Sequence, residues 1–395
     1  MNRLLQIIII ITFILLTVIF FVFKKMPSDN EVVFWTLQMS DFSPYINSVI
    51  SEFEKQNPKI KIKWVDVPFS EGEKRTLASV LSDNPPDLVN LNPDFSAVLA
   101  HKGALQEISY NDLKQFNREI INSLEIDSKY YSIPWYATSA ITIYNKDLIK
   151  NVPQTYDETF KLAKQVRKQG AYIMLPNITE NDAMLKILNK YYSNDSEYVF
   201  NMFKNLYEKD LIPKETLTIT LQEALEKYMS GNIAIIGAGA NFLNMIKENA
   251  PLTYEKTDIA PQLKGKLGQN DFSLMNFVIP LRAKHKQDAL KFALFLTNDK
   301  NQLELAKLTN VLAVNKKTLQ NDFYKNYDGD DLMAKARVIS AEQLNKLQPV
   351  FKTKRNQKDI NNLVNNAVQS VLLNKNTTKN ILNDLEKSIK IIEEK

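Results

Sequence analysis

The chain has 395 residues, 44% hydrophobic and 24% charged, with no cysteine, two histidines and a formal net charge of +5. That length can bury a large core and points to two globular units or one long α/β chain. The missing cysteines exclude disulfides, a thiolate nucleophile and cysteine-ligated zinc or iron–sulfur sites. His101 and His285 are too few for a histidine-rich metal site, so no metal or other cofactor is expected, and the composition favours a binding protein over most enzymes. Arg3, Lys24 and Lys25 are the only charges in the first 25 residues, and the body mixes both signs. No concentrated basic face suited to nucleic acid is visible. The densest basic cluster, Lys352, Lys354, Arg355 and Lys358, reads as solvated surface.

Residues 4–23 carry no formal charge and contain only Gln6, Thr12 and Thr17 as polar members. That length matches the roughly 20 residues a helix needs to cross a bilayer. The run ends in bulky Phe20, Phe21 and Phe23, without the small-residue site at which a signal peptide is cut. Residues 1–27 are therefore expected to be an uncleaved transmembrane anchor, with the body on the periplasmic or extracellular face of the cytoplasmic membrane. A cleaved signal peptide is the alternative, and it puts the body in the same compartment.

Val32–Trp35 predicts a first strand, and Ser43-Pro44 opens a helix with Ile46, Val49, Ile50 and Phe53 at helical spacing. Residues 60–65 alternate as a half-exposed strand, a helix follows through Leu77 and Val80, and Asp87–Leu91 is a third strand. Strand, helix, strand, helix, strand predicts a largely parallel sheet covered by helices. Residues 138–144 read as a strand, and Thr155 with Glu158 as a capping box. Residues 182–230 read as mostly helical, Ile233–Ile236 and Phe277–Ile279 as strands, and the last 100 residues as helical, ending on an amphipathic face with Ile381, Leu385, Ile389 and Ile392. Gly237-Ala238-Gly239-Ala240-Asn241-Phe242 begins like a dinucleotide loop, but Phe242 occupies the third glycine position and the motif lies mid-chain.

Several segments in order resemble the extracellular solute-binding proteins of ABC importers, in the maltose-binding-like branch. Phe53-Glu54-Lys55-Gln56-Asn57-Pro58 is similar to the family's helix before strand two, and Pro86-Asp87-Leu88-Val89 to its third strand. Tyr131-Ser132-Ile133-Pro134-Trp135 followed by Ile143-Tyr144-Asn145-Lys146-Asp147-Leu148 resembles its crossing between lobes. Tyr228–Ile235 and Asp258-Ile259-Ala260-Pro261 match later family segments. The resemblance implies an α/β fold of two periplasmic-binding-protein lobes with a hinge and an interlobe cleft. Lobe one is expected over 31–139 plus 256–308, and lobe two over 140–255 plus 309–395.

Open α/β sheets bind ligands at the carboxyl ends of their strands. That rule selects Thr36, Gln38, Ser40 and Asp41 after strand one, and Asn92, Pro93 and Asp94 after strand three. It selects Trp135, Tyr136 and Thr138 at the first crossing, Asn241 and Phe242 after Ile236, and Asn270, Asp271, Met275 and Asn276 before Phe277. Asp94 matches a ligand-reading aspartate of the family, and Thr138 falls where maltose-type relatives carry an acidic contact. Stacking aromatics of those relatives fall near Leu91, Asn241 or Phe242, and Asn361 or Asn362, so only Phe242 could replace a ring. Trp35 and Trp64 read as core, and Asp87 as a brace of its strand. The resemblance implies a monomeric binder that closes on a sugar, oligosaccharide or polyol and delivers it to ABC permease subunits. A membrane-anchored sensor of the same fold and a glycoside-processing enzyme are the alternatives.

Overall fold

The computed structural model describes residues 31–394 apart from 181, 310, 328, 330 and 348–355. The expected anchor at 4–23 and the basic residues Lys352, Lys354 and Arg355 lie outside the described residues, among which no helix is long and apolar enough to cross a membrane.

Among the described residues twelve strands form two sheets and a hairpin. They are β1 (Glu31–Leu37), β2 (Lys61–Val67), β3 (Leu88–Leu91), β4 (Glu125–Ile126), β5 (Lys129–Tyr130), β6 (Ser132–Thr138), β7 (Ala140–Asn145), β8 (Tyr172–Met174), β9 (Ile233–Gly239), β10 (Thr257–Pro261), β11 (Ser273–Val278) and β12 (Leu312–Ala313). One lobe holds the order β12-β6-β11-β3-β1-β2, the other β10-β7-β9-β8, and β4 pairs with β5. β1 pairs in parallel with β2 and β3, as the strand–helix alternation predicts.

Alternation in β1 turns Val32, Phe34 and Thr36 inward. Phe34 meets Phe277 and Phe292 edge-on at 5.7 and 5.3 Å in the first core. Burying each such ring contributes about 1.5–3 kcal/mol. The second lobe packs Ile173, Phe200 and Phe203 against Val364 and Val368 of the helix Gln357–Leu372. Asp87 braces β1 as expected, accepting from the Val33 and His285 amides at 2.9 Å each.

Pairing moves two of the expected lobe boundaries. β10, expected in lobe one, pairs antiparallel with β7 from Thr257 opposite Asn145 to Pro261 opposite Ile141. Thr257 and Ile259 bury on the second lobe, so the chain returns only after Pro261. Residues 311–324, expected in lobe two, stay with lobe one. Leu312 and Ala313 pair with β6, and Val314, Leu319 and Tyr324 are buried in its core.

Local differences have local causes. Thr155 Oγ1 accepts from the Glu158 amide, but the Glu158 carboxylate turns to the amide of Gln154, so the box is only half made. The reciprocal box forms at Thr220 and Glu223 instead. Gly237 and Gly239 continue β9, neither with a positive φ, and no phosphate-cradling loop forms there.

Candidate functional site

The ends of the two sheets face each other across the first crossing. β1, β3 and β6 end at Leu37, Leu91 and Thr138, and β11 runs the other way, with Ser273 opposite Thr138. In the second sheet Ala140 opens β7 opposite Gly239, the last residue of β9. Loops at these ends of both sheets, the kind of place where open α/β sheets take ligands, therefore converge on one cleft.

Behind the cleft, three passages of the chain meet in a buried polar knot. Ser139 Oγ in the first crossing accepts from Gln343 Nε2 at 2.9 Å and Gln262 Nε2 at 3.2 Å. Gln262, in the return crossing, donates its amide to Gln343 Oε1 at 2.7 Å and exchanges bonds with the Asp271 backbone at 3.0 and 3.1 Å. Lys190, only 4% exposed, donates Nζ to Gln262 Oε1 at 2.8 Å and the Leu263 carbonyl at 2.9 Å, and pairs with Asp271 at 3.1 Å. Burial pushes its pKa down, and Asp271 opposes that shift. The backbone runs so close at Gly265 that any Cβ there would collide with the Lys190 carbonyl.

In front of the knot lies a cavity of about 380 Å³ walled by both lobes. Met39, Phe42, Tyr136 and Thr138 line it from lobe one, with Leu305, Thr309, Val311 and Leu312. Ser139, Ala240, Asn241, Arg337 and Ser340 complete it from the crossing, the turn after β9 and the helix Leu332–Asn345. Burial raises the Tyr136 hydroxyl to about 12, so it stays a neutral donor. The volume sits within the roughly 300–1,000 Å³ of small-molecule sites.

Of the residues selected from sequence, Tyr136, Thr138 and Asn241 line this cavity. Gln38, Ser40 and Asp41 are exposed on the loop after β1, with Gln38 in the left-handed region at φ 50°. Asp66 holds that loop by accepting from Thr36 Oγ1 at 2.6 Å and from the Met39 and Ser40 amides at 2.9 Å. Thr36 is thereby buried beneath the loop, also accepting from Trp64 Nε1 at 2.7 Å. Asn92 caps the helix Pro93–His101, accepting from the Phe95 amide at 2.8 Å. Asp94 lies in that helix's first turn, where its charge acts on Lys186 of the other lobe. Lys186 pairs with Asp182 at 3.2 Å and donates to Ser273 Oγ across the cleft at 3.4 Å. Burial disfavours its charge, but Asp182, Asp271 and Asp94 outweigh this and raise its pKa.

Other selected residues have different surroundings. Trp135 is fully buried and stacks on Phe277 at 4.6 Å, because β6 turns it into the core and Tyr136 outward. Asn276 is inside β11, which starts four residues before Phe277, and donates to Ser96 Oγ at 2.9 Å. Met275 is half-buried in the same strand opposite Tyr136. Phe242 packs on the second lobe's core and does not line the cavity. Asn270 donates to the Gln343 carbonyl at 3.4 Å, on the knot's side. Leu91 is buried in β3, and Asn361 accepts from Gln357, so no ring stands at either place. Phe42 and Tyr136 supply the cavity's aromatic surface instead. Sequence reading passed over Phe42, Lys190, Arg337, Ser340 and Gln343. Only Phe42 carried a signal, as the residue directly after the selected Asp41. Among the described residues no group of acids and histidines is placed to hold a metal ion.

Two α/β lobes, linked by several crossings and closing on a shared cavity, define a two-lobed binding protein of the periplasmic-binding-protein fold. Residues 48–329 match the family described as bacterial extracellular solute-binding protein, and the chain belongs to it. It is 28% identical over 140 residues to the maltodextrin-binding protein MdxE of Bacillus subtilis (strain 168), a match covering 35% of this chain and 33% of that protein. It is 23% identical over 309 residues to the galactooligosaccharide-binding protein of the same organism, covering 70% and 71% of the two. A periplasmic-binding protein from Synechococcus sp. MITs9220, solved with zinc, superposes with a TM-score of 0.82 at 25% identity, over 92% of this chain and 99% of that one.

Proposed function

We propose that the chain is the substrate-binding protein of an ABC importer, capturing a carbohydrate or polyol-like solute between its lobes and releasing it unaltered to a membrane permease. The cavity carries this reading: Tyr136, Thr138 and Phe42 from one lobe face Asn241 from the other. Hydroxyl and amide groups suit sugar hydroxyls, and ring faces suit sugar C–H surfaces. The sugar-binding names of the two Bacillus subtilis relatives support it. A ligand that touches both walls gains contacts only in the closed form and shifts the population toward it. Residues 4–23 anchor the body on the outer face of the membrane, which keeps the binder near its permease.

Thermal melting of the full chain in detergent against neutral sugars, sugar acids, polyols and sugar phosphates tests the reading. A ligand that binds only the folded state raises the midpoint by mass action. Scattering with the same ligand is expected to show a more compact body. Flat melting curves across the panel overturn the carbohydrate assignment, and product formation during incubation overturns the binding-only role. Fractionation tests the anchor, since deleting residues 1–27 is expected to release the body from membranes.

A further inference from the structure

The helix Leu332–Asn345 presents Arg337 and Ser340, three residues apart and so on one face, to the cavity. Ser340 is 3% exposed, and its Oγ has no hydrogen-bond partner among the described residues. Arg337 is fixed by neutral groups. Its Nε donates to the Phe323 carbonyl at 2.6 Å, an Nη donates to the Asn326 carbonyl at 3.5 Å, and the guanidinium lies over the Phe323 ring at 3.9 Å. Other cations around the cleft have acidic partners: Lys186 has Asp182, Lys190 has Asp271 and Lys335 has Asp258. Arg337 forms no such ion pair among the described residues. Asp331 acts on it only at longer range, its carboxylate capping the same helix at the Met333 and Ala334 amides.

A half-buried cation lining the same cavity as Leu305, Val311 and Leu312 has lost solvation, and among the described residues no carboxylate pairs with it. Burial accordingly lowers the Arg337 pKa, although a guanidinium stays charged at neutral pH. Three features of an anion subsite are present: a planar donor with a fixed orientation, a hydroxyl one turn on with no partner among the described residues, and a cavity that both residues line.

We propose that the ligand carries an anionic oxygen group, a carboxylate or a phosphate, which Arg337 and Ser340 read together. The cavity then selects an acidic sugar or sugar phosphate over its neutral counterpart. This rests on the carbohydrate reading above and narrows it.

Calorimetry on the full chain in detergent tests the pairing of probes: digalacturonate against galactobiose, and glucose 6-phosphate against glucose. In at least one pair the anionic member is expected to bind about ten- to hundredfold more tightly, the range for a hydrogen bond to a charged group. The arm that shows it separates carboxylate from phosphate. Arg337→Gln is expected to abolish the preference. Ser340→Ala should reduce the preference less, and Arg337→Lys should keep part of it, so two variants remain informative if Arg337→Gln fails to fold. Equal or tighter binding of the neutral members overturns the proposal and leaves the carbohydrate reading standing. A preference that survives Arg337→Gln also overturns it. No binding in any arm overturns both.

Discussion

The knot at the crossings and the cavity in front of it draw on the same residue types and leave them in opposite states. In the knot, Ser139, Lys190, Gln262 and Gln343 are buried, and each is bonded to another passage of the chain. In the cavity, among the described residues, the equally buried Ser340 hydroxyl has no hydrogen-bond partner and the charged Arg337 forms no ion pair. Burial does not separate the two regions; satisfaction does. Polar groups bonded within the chain fix where the lobes join, because losing one partner strands the others. Polar groups left open keep their bonding capacity for a guest.

Trp135→Ala should break the comparison most severely. Trp135 is a core residue next to the cavity, so its removal is expected to cost about 3–5 kcal/mol in urea unfolding. Trp135→Phe should keep ligand affinity, and a large loss of affinity there would return the residue to the binding surface. Lys190→Met comes next. It removes the donor that Gln262 Oε1 and the Leu263 carbonyl share and unpairs the partly exposed Asp271 carboxylate, for an expected loss of about 2–3 kcal/mol in the same measurement. Tyr136→Phe removes one cavity hydroxyl. Ligand affinity should fall by about 0.5–1.5 kcal/mol in calorimetry with little change in melting temperature.

The smallest expected effect is one of pH. Burial opposes ionisation of Asp258, but Lys335 at 2.6 Å, the Ile259 amide and the Tyr144 hydroxyl outweigh it and hold the carboxyl below its usual range. A depressed folded-state pKa gives stability that is present above the unfolded value, about 3.9, and lost as pH falls through the folded one. Lys335→Met should therefore move acid unfolding to higher pH, by less than about 1 kcal/mol because the pair is a quarter exposed. No shift in an acid titration followed by circular dichroism would remove Lys335 as the cause.

Cavity residues near strand ends were legible because topology places those ends together. Tyr136, Thr138 and Asn241 follow from that rule. The same rule gave the wrong environment for Trp135, since the facing of a residue beside a crossing depends on the strand's register. It also put Asn276 outside a strand that in fact contains it, because polar Ser273 and Asn276 mask the start of β11. Lobe boundaries slipped at β10 and β12 for a related reason. A short strand carries no mark of the sheet it will join.

By itself the sequence determined the alternation of strands and helices, the apolar N-terminal run and the order of family segments, because these are set by neighbours along the chain. Only the tertiary structure decided that Lys190, Gln262 and Gln343 meet Ser139 and that Arg337 faces a cavity with Ser340. Bonding between residues as far apart as 139 and 343 depends on how two lobes pack. No local pattern encodes that.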